Sequence, residues 1–128
     1  MMIAVAVPMK EAFAGIHNTG DFGYMLRDFL DRFQEQPDPS LVAEEPALLA
    51  TLLKDHGVAD AYLAATAAWL AHKHGLRVPP WATGTSRALD VPWFAARTHK
   101  LRMLLIQESP TEFRIRNLFV SANALARA

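Results

Sequence analysis

The amino-acid sequence predicts an all-α fold, a compact bundle of five to six helices with one long ordered loop rich in proline and tryptophan. Three observations favour this fold class. Apolar residues recur at helical spacing between residues 22 and 33. Two further apolar runs end at Gly57 and Gly75, and glycine commonly follows the last turn of a helix. No series of segments alternates apolar and polar residues, so a fold based on a β-sheet is not expected.

Length and composition indicate one domain over residues 1–128, with residues 1–18 as a flexible or loosely packed N-terminal segment. Apolar residues make up 52% of the chain, which is enough for a core. The chain has no cysteine, which excludes disulfides, a thiol nucleophile and thiolate metal sites. The apolar run before Pro8 is too short for a signal peptide or a membrane helix. We therefore expect a cytoplasmic protein that does not act on membranes.

The strongest helical pattern lies in the first third of the chain. Its apolar members are Phe22, Met25, Leu26, Phe29, Leu30 and Phe33. Thr19 or Asp21 is expected to cap this helix, and Pro37 to end it. The apolar stripe fits either a core face or a face that docks into a partner's groove. We favour the core, which predicts that Phe29 and Phe33 are buried.

Four turn signals divide the middle of the chain. Asp38-Pro39 predicts an N-cap and one short helical turn that reaches Ala43. Glu45-Pro46 repeats the pattern and predicts a helix that ends at Gly57. The next helix is predicted over 58–74, with Gly75 after it. These last two helices would form an αα-hairpin around Gly57.

Residues 76–97 form the long loop, which is predicted to be ordered because tryptophans stand next to its prolines. We expect Trp93 to be buried as a clasp and Trp81 to lie at the rim, where a partner protein can reach it. The candidate partner-binding residues are Trp81, Trp93, Phe94 and Arg87.

The C-terminal part predicts three short elements. A helix is expected from Thr98 to Glu108, and Ser109-Pro110-Thr111-Glu112 matches a capping box that opens another. Residues 118–120 look extended, and Ser121 is expected to cap a last short helix that reaches Leu125.

Charge is distributed unevenly, although the formal net charge is zero. Residues 1–68 contain four Lys or Arg against ten Asp or Glu, and residues 69–128 contain nine against three. The simplest interpretation is that the two halves pack together and neutralise each other. The alternative is that the basic half contacts a nucleic-acid backbone. Candidates for that contact are Arg97, Lys100, Arg102, Arg114 and Arg116.

No catalytic, metal or cofactor motif is found in the sequence. His72 and His74 are two residues apart on a predicted helix, so they point to different sides. There is no glycine-rich phosphate loop and no nucleophile elbow. We therefore predict no catalytic residue, no metal ligand and no cofactor, and we lean against an enzyme.

Several short motifs from Arg27 to the C-terminus carry a resemblance to a known family. They are Asp28-Phe29-Leu30, Glu45-Pro46, Leu76-Arg77-Val78-Pro79-Pro80-Trp81, Leu89-Asp90-Val91-Pro92-Trp93-Phe94, Ser109-Pro110-Thr111-Glu112-Phe113 and Asn117-Leu118-Phe119-Val120. On these motifs the chain resembles an uncharacterised bacterial helical domain that occurs alone or behind helix-turn-helix modules in high-GC bacteria. The resemblance implies a regulatory or partner-binding role, in a toxin–antitoxin or repressor context.

The sequence therefore favours a non-enzymatic protein-interaction or regulatory module that binds another protein or itself, as in a homodimer. A nucleic-acid-associated module that uses the basic C-terminal half is the alternative. A small-molecule-binding or enzymatic domain ranks third.

Overall fold

The computed structural model describes residues 6–127, and this part of the chain is mostly helical, as the sequence predicts. The helices are α1 (Met9–Ala12), α2 (Thr19–Glu35), α3 (Ala50–Leu53), α4 (Val58–Lys73), α5 (His99–Glu108) and α6 (Thr111–Arg114). The strands are β1 (Trp93–Phe94) and β2 (Leu118–Phe119). Three 3₁₀ turns cover Pro39–Leu41, Pro80–Thr83 and Thr85–Arg87.

Helix α4 lies at the centre of the described structure. Eleven of its sixteen residues are buried, and it contacts α3, α6, β2 and two of the 3₁₀ turns. Seven of the buried residues are alanines, which let neighbouring segments approach the helix closely. Its sequence lacks a polar stripe because almost every side of it faces protein.

Helix α2 packs its phenylalanine stripe into the core, which confirms the prediction for Phe29 and Phe33. Their side chains are 3% and 0% exposed. The aromatic cluster of α2 extends to the residue that follows α1, because Phe13 lies 5.4 Å from Phe22 between ring centroids. Met9, Phe13 and Ile16 are all buried. The N-terminal segment is therefore well packed from Met9 onward, contrary to the expectation of loose packing, while residues 1–5 lie outside the described structure.

The ends of the long helices follow the expected chemistry with one correction. The cap of α2 is Asn18, whose side chain accepts a hydrogen bond from the Asp21 backbone at 2.8 Å; neither Thr19 nor Asp21 is the cap. The sequence pattern missed Asn18 because three adjacent residues can all cap a helix. Gly75, with φ of +66°, ends α4 as predicted, and the Leu76 N–H returns to the Ala71 carbonyl at 2.7 Å.

The predicted αα-hairpin is present only in part, because its first helix is much shorter than predicted. The helix expected after Pro46 is a single turn, α3, which begins at Ala50. Between α3 and α4 the chain turns through left-handed conformations at Lys54, His56 and Gly57. The Asp55 carboxylate accepts hydrogen bonds from the backbone of Gly57 and Ala59 and so fixes the start of α4.

Two C-terminal predictions are wrong in detail. The capping box does not form, because the Ser109 hydroxyl is buried and bonds instead to the Leu105 carbonyl and to the backbone of Val120. Ser121 opens a turn rather than a helix; its hydroxyl donates to the Asn123 side chain at 3.0 Å.

A short parallel sheet was not expected from the sequence. Strand β1 pairs with β2 so that Trp93 stands opposite Leu118 and Phe94 opposite Phe119. Asn117 precedes β2 in a left-handed conformation, φ +63°, and its side-chain amide donates to the Leu89 carbonyl at 2.8 Å. This sheet connects the long loop to the C-terminal segment.

Candidate functional site

Trp81 ties the long loop to the first half of the chain. Its indole N–H donates to the Val42 carbonyl at 2.8 Å, and its ring lies 5.1 Å from the guanidinium carbon of Arg87. The side chain is half-buried. Trp81 thus serves as the clasp, which is the role that the sequence had suggested for Trp93.

Arg87 is completely buried, at 0% exposure, so it cannot contact a partner from this position. Its guanidinium donates two hydrogen bonds to the Glu45 carboxylate, at 3.2 and 3.0 Å, and another to the Pro46 carbonyl. It also lies 3.7 Å from a carboxylate oxygen of Asp60. The candidate from the sequence is therefore a structural residue, because a buried cation needs several acceptors and the core supplies them.

Asp60 completes this polar cluster from the first turn of α4. Its carboxylate accepts hydrogen bonds from the backbone of Leu49 at 2.6 Å and of Ala50 at 3.2 Å. Burial raises the pKa of the Asp60 carboxyl, while the two N–H groups and Arg87 act in the opposite direction. Sequence reasoning missed Asp60; the only signal was an acidic residue within an alanine-rich apolar helix.

Trp93 lines a cleft between α2 and α4 instead of being fully buried. The cleft has a volume of about 670 Å³, and Phe22, Tyr62 and Trp93 contribute its aromatic walls. Trp93 and Trp81 fall in the same intermediate range of exposure, so the expected contrast between them is absent.

Phe94 contacts other groups of the same chain. Its ring stacks on Phe119 at 4.9 Å with an interplanar angle of 17°, and the guanidinium of Arg102 lies 5.4 Å from the ring centre. Arg102 also donates to the Ala96 carbonyl at 3.1 Å. Phe94 remains half-buried and partly accessible.

The five basic candidates do not form one free cationic surface. Arg116 is buried and donates to the carbonyls of Ala82 and Glu112, at 2.7 and 2.6 Å, so it is structural. Burial lowers the pKa of the Arg116 guanidinium. Arg114 donates to the Ser109 carbonyl at 2.7 Å. Together with the contacts of Arg102, this leaves Arg97 and Lys100 as exposed basic residues without a hydrogen bond to the described residues.

Charge neutralisation between the two halves accounts for part of the asymmetry. Arg87 pairs with Glu45 and Asp60, and Arg127 pairs with Asp31 at 2.8 Å. Each of these ion pairs joins the basic half to the acidic half.

Helix α5 carries more exposed large apolar side chains than any other helix of the described chain. Only Leu105 is buried among its ten residues. The exposed large apolar side chains are Leu101 at 50%, Met103 at 48%, Leu104 at 48% and Ile106 at 43%. Leu101 and Leu104 lie on one side of the helix, and Met103 and Ile106 lie on the opposite side. We call the side that carries Leu101 and Leu104 the α5 face. Single exposed leucines are ordinary on protein surfaces, whereas neighbouring exposed leucines on one side of a helix mark a candidate interaction site.

The described residues contain no cluster of three His, Asp or Glu side chains that could hold a metal ion. His72 approaches Glu112, with 2.6 Å between its Nδ1 and a carboxylate oxygen, and the imidazole is well exposed. None of the helices within residues 6–127 has the length and apolarity that a membrane crossing requires.

Comparison with known proteins gives no match: no family model, curated protein or solved structure is similar to this chain.

Proposed function

We propose that the protein is a non-enzymatic interaction module and that the α5 face is its docking surface. The observation that supports this most directly is the exposure of Leu101 and Leu104, at 50% and 48%, on the same side of a ten-residue helix. Adjacent large apolar side chains on one side of a helix are normally covered by protein. Leu105 is the only buried residue of α5 within the described structure, so we infer that another protein molecule covers the α5 face.

The two ends of α5 suit such a surface. Exposed charged groups border the apolar side chains, with Arg97 and Lys100 before them and Glu108 after them. Interfaces commonly combine an apolar centre with a polar rim, because the rim gives specificity while the centre supplies most of the affinity. A regulatory role in an antitoxin or repressor context is a further proposal that rests on the family resemblance.

In-cell photocrosslinking tests this function. A photoreactive amino acid at position 104 should give an adduct to a protein, because Leu104 would be in contact with a partner. The same amino acid at position 115 is the control, because Ile115 is more exposed, at 68%, but lies outside α5. Adducts at neither position, or equally at both, would contradict a docking surface on α5.

The nucleic-acid alternative has less support, because three of its five candidate cations are engaged within the chain. If it holds, the protein should retard DNA or RNA at low salt, and replacing Arg97 and Lys100 with Glu should abolish the retardation. Salt should weaken such binding steeply, because bound cations release counterions from the backbone.

A further inference from the structure

We infer that the occupant of the α5 face is α5 of a second copy of this chain, packed antiparallel about a two-fold axis. This inference rests on the proposed function and specifies its partner.

The apolar spacing fits a helix pair. Leu101, Leu104 and Glu108 are three and seven residues apart, so they lie along one side of α5. Leu105 lies beside this stripe and packs into its own chain, which fixes how the stripe is presented. In an antiparallel pair, Leu101 can face Leu104 of the second copy, and the two-fold axis repeats this contact.

The charges select the direction of the pair. The N-terminal end of α5 is basic, with Lys100 in its first turn and Arg97 just before it, whereas Glu108 closes its C-terminal end. One oxygen of the Glu108 carboxylate accepts a hydrogen bond from the Ala122 backbone N–H at 3.1 Å, and its other oxygen has no hydrogen bond to the described residues. An antiparallel arrangement with Leu101 opposite Leu104 places Glu108 of each copy near Arg97 and Lys100 of the other, and it also opposes the two helix dipoles favourably. A parallel arrangement would place like charges side by side.

The length of α5 limits the expected affinity of the dimer. Ten residues span about 15 Å, which is too short for a standard interface of about 1,600 Å². We therefore expect a weak dimer, with a dissociation constant on the order of 10–100 μM.

Sedimentation of the purified protein with exchanged charges tests the inference. The wild-type molar mass should rise with concentration from 14.2 kDa towards twice that value. Lys100→Glu makes both ends of α5 acidic, and Glu108→Lys makes both ends basic. Either variant alone should dimerise at least about tenfold more weakly, because two attractive contacts become repulsive. An equimolar mixture of the two variants should recover dimers, because the mixed pair restores both attractive contacts.

Two controls make the outcomes separable. Ile115→Lys adds a charge at an exposed apolar residue outside α5 and should leave dimerisation unchanged. Circular dichroism of each variant confirms that it is folded. A wild-type protein that stays at monomer mass up to about 1 mM, or charge variants that fail to rescue each other, overturns the inference. If the protein is a monomer but still gives an adduct at position 104 in cells, the proposed function survives and the occupant is a different protein.

Discussion

Helices α4 and α5 both carry bulky apolar side chains, yet they occupy opposite environments. Helix α4 has eleven buried residues of sixteen, whereas α5 has one of ten. In α4 the apolar surface is matched by packing against several segments of the same chain. In α5 the bulky side chains of Leu101 and Leu104 remain about half exposed. The difference indicates that an apolar composition alone does not place a helix in the core, and that α5 has surface left for association.

The largest effect is expected at the polar cluster that anchors α4. Arg87→Leu should lower the free energy of unfolding by about 3–5 kcal/mol, because the Asp60 carboxylate would stay buried without its cation. Arg97→Leu is the matched control at an exposed position and should change stability by less than about 0.5 kcal/mol. Urea unfolding of both variants measures this, and similar losses would contradict a structural role for Arg87.

The next effect is the loss of stability when a leucine of α4 is truncated, for comparison with the same substitution in α5 below. Leu63 of α4 is 0% exposed, so Leu63→Ala should cost about 2–5 kcal/mol of unfolding free energy through lost burial and a cavity. A loss below about 1 kcal/mol would mean that α4 is not tightly packed at this position. Chemical denaturation monitored by circular dichroism gives the value.

A smaller effect concerns pH and Asp60. Burial raises the folded-state pKa of this carboxyl above its ordinary value of 3.8. Folding therefore favours the protonated form of Asp60. The protonated carboxyl contributes to the free energy of unfolding at low pH, and this contribution is lost as the pH rises from near 3.8 through the pKa of the folded protein. Asn cannot titrate, so the stability of wild type relative to Asp60→Asn should fall over that rise in pH. Urea unfolding across pH 3.5–6 measures it, and a difference that grows with pH would show that the charged form is the stabilised one.

The smallest effect on stability is expected in α5. Leu104→Ala should change the free energy of unfolding by less than about 1 kcal/mol at concentrations where the protein is monomeric, because the side chain is half exposed. The same variant should dimerise more weakly. A loss of unfolding free energy as large as that of Leu63→Ala would show that Leu104 is buried in the core, and that α5 does not differ from α4 in this respect.

The sequence predicted the features that follow from local chemistry. The spacing of phenylalanines in α2, Asp38 as the cap of its 3₁₀ turn, and Gly75 at the end of α4 depend on neighbouring residues only. Features set by distant contacts were missed. The sequence suggested that Arg87 is a surface cation, whereas in the structure it pairs with Glu45 and Asp60 in the core. The sequence also matched Ser109 to a capping box, but its hydroxyl bonds to the Val120 backbone.

The candidate site was predicted less well than the fold. The exposure of α5 could not be predicted from its sequence, because burial depends on which distant segments of the chain pack against the helix. The division of roles between Trp81 and Trp93 likewise depends on the Val42 carbonyl, which is 39 residues away in the chain.

Disulfide cross-linking between two single-cysteine variants tests the central claim most directly, since the natural chain has no cysteine. Leu101→Cys and Leu104→Cys proteins are mixed and oxidised, and each is also oxidised alone. The account predicts a covalent dimer that forms faster in the mixture, because position 101 of one copy faces position 104 of the other. Dimer formation no faster than in a mixture of Leu101→Cys with Ile115→Cys would contradict antiparallel pairing through α5.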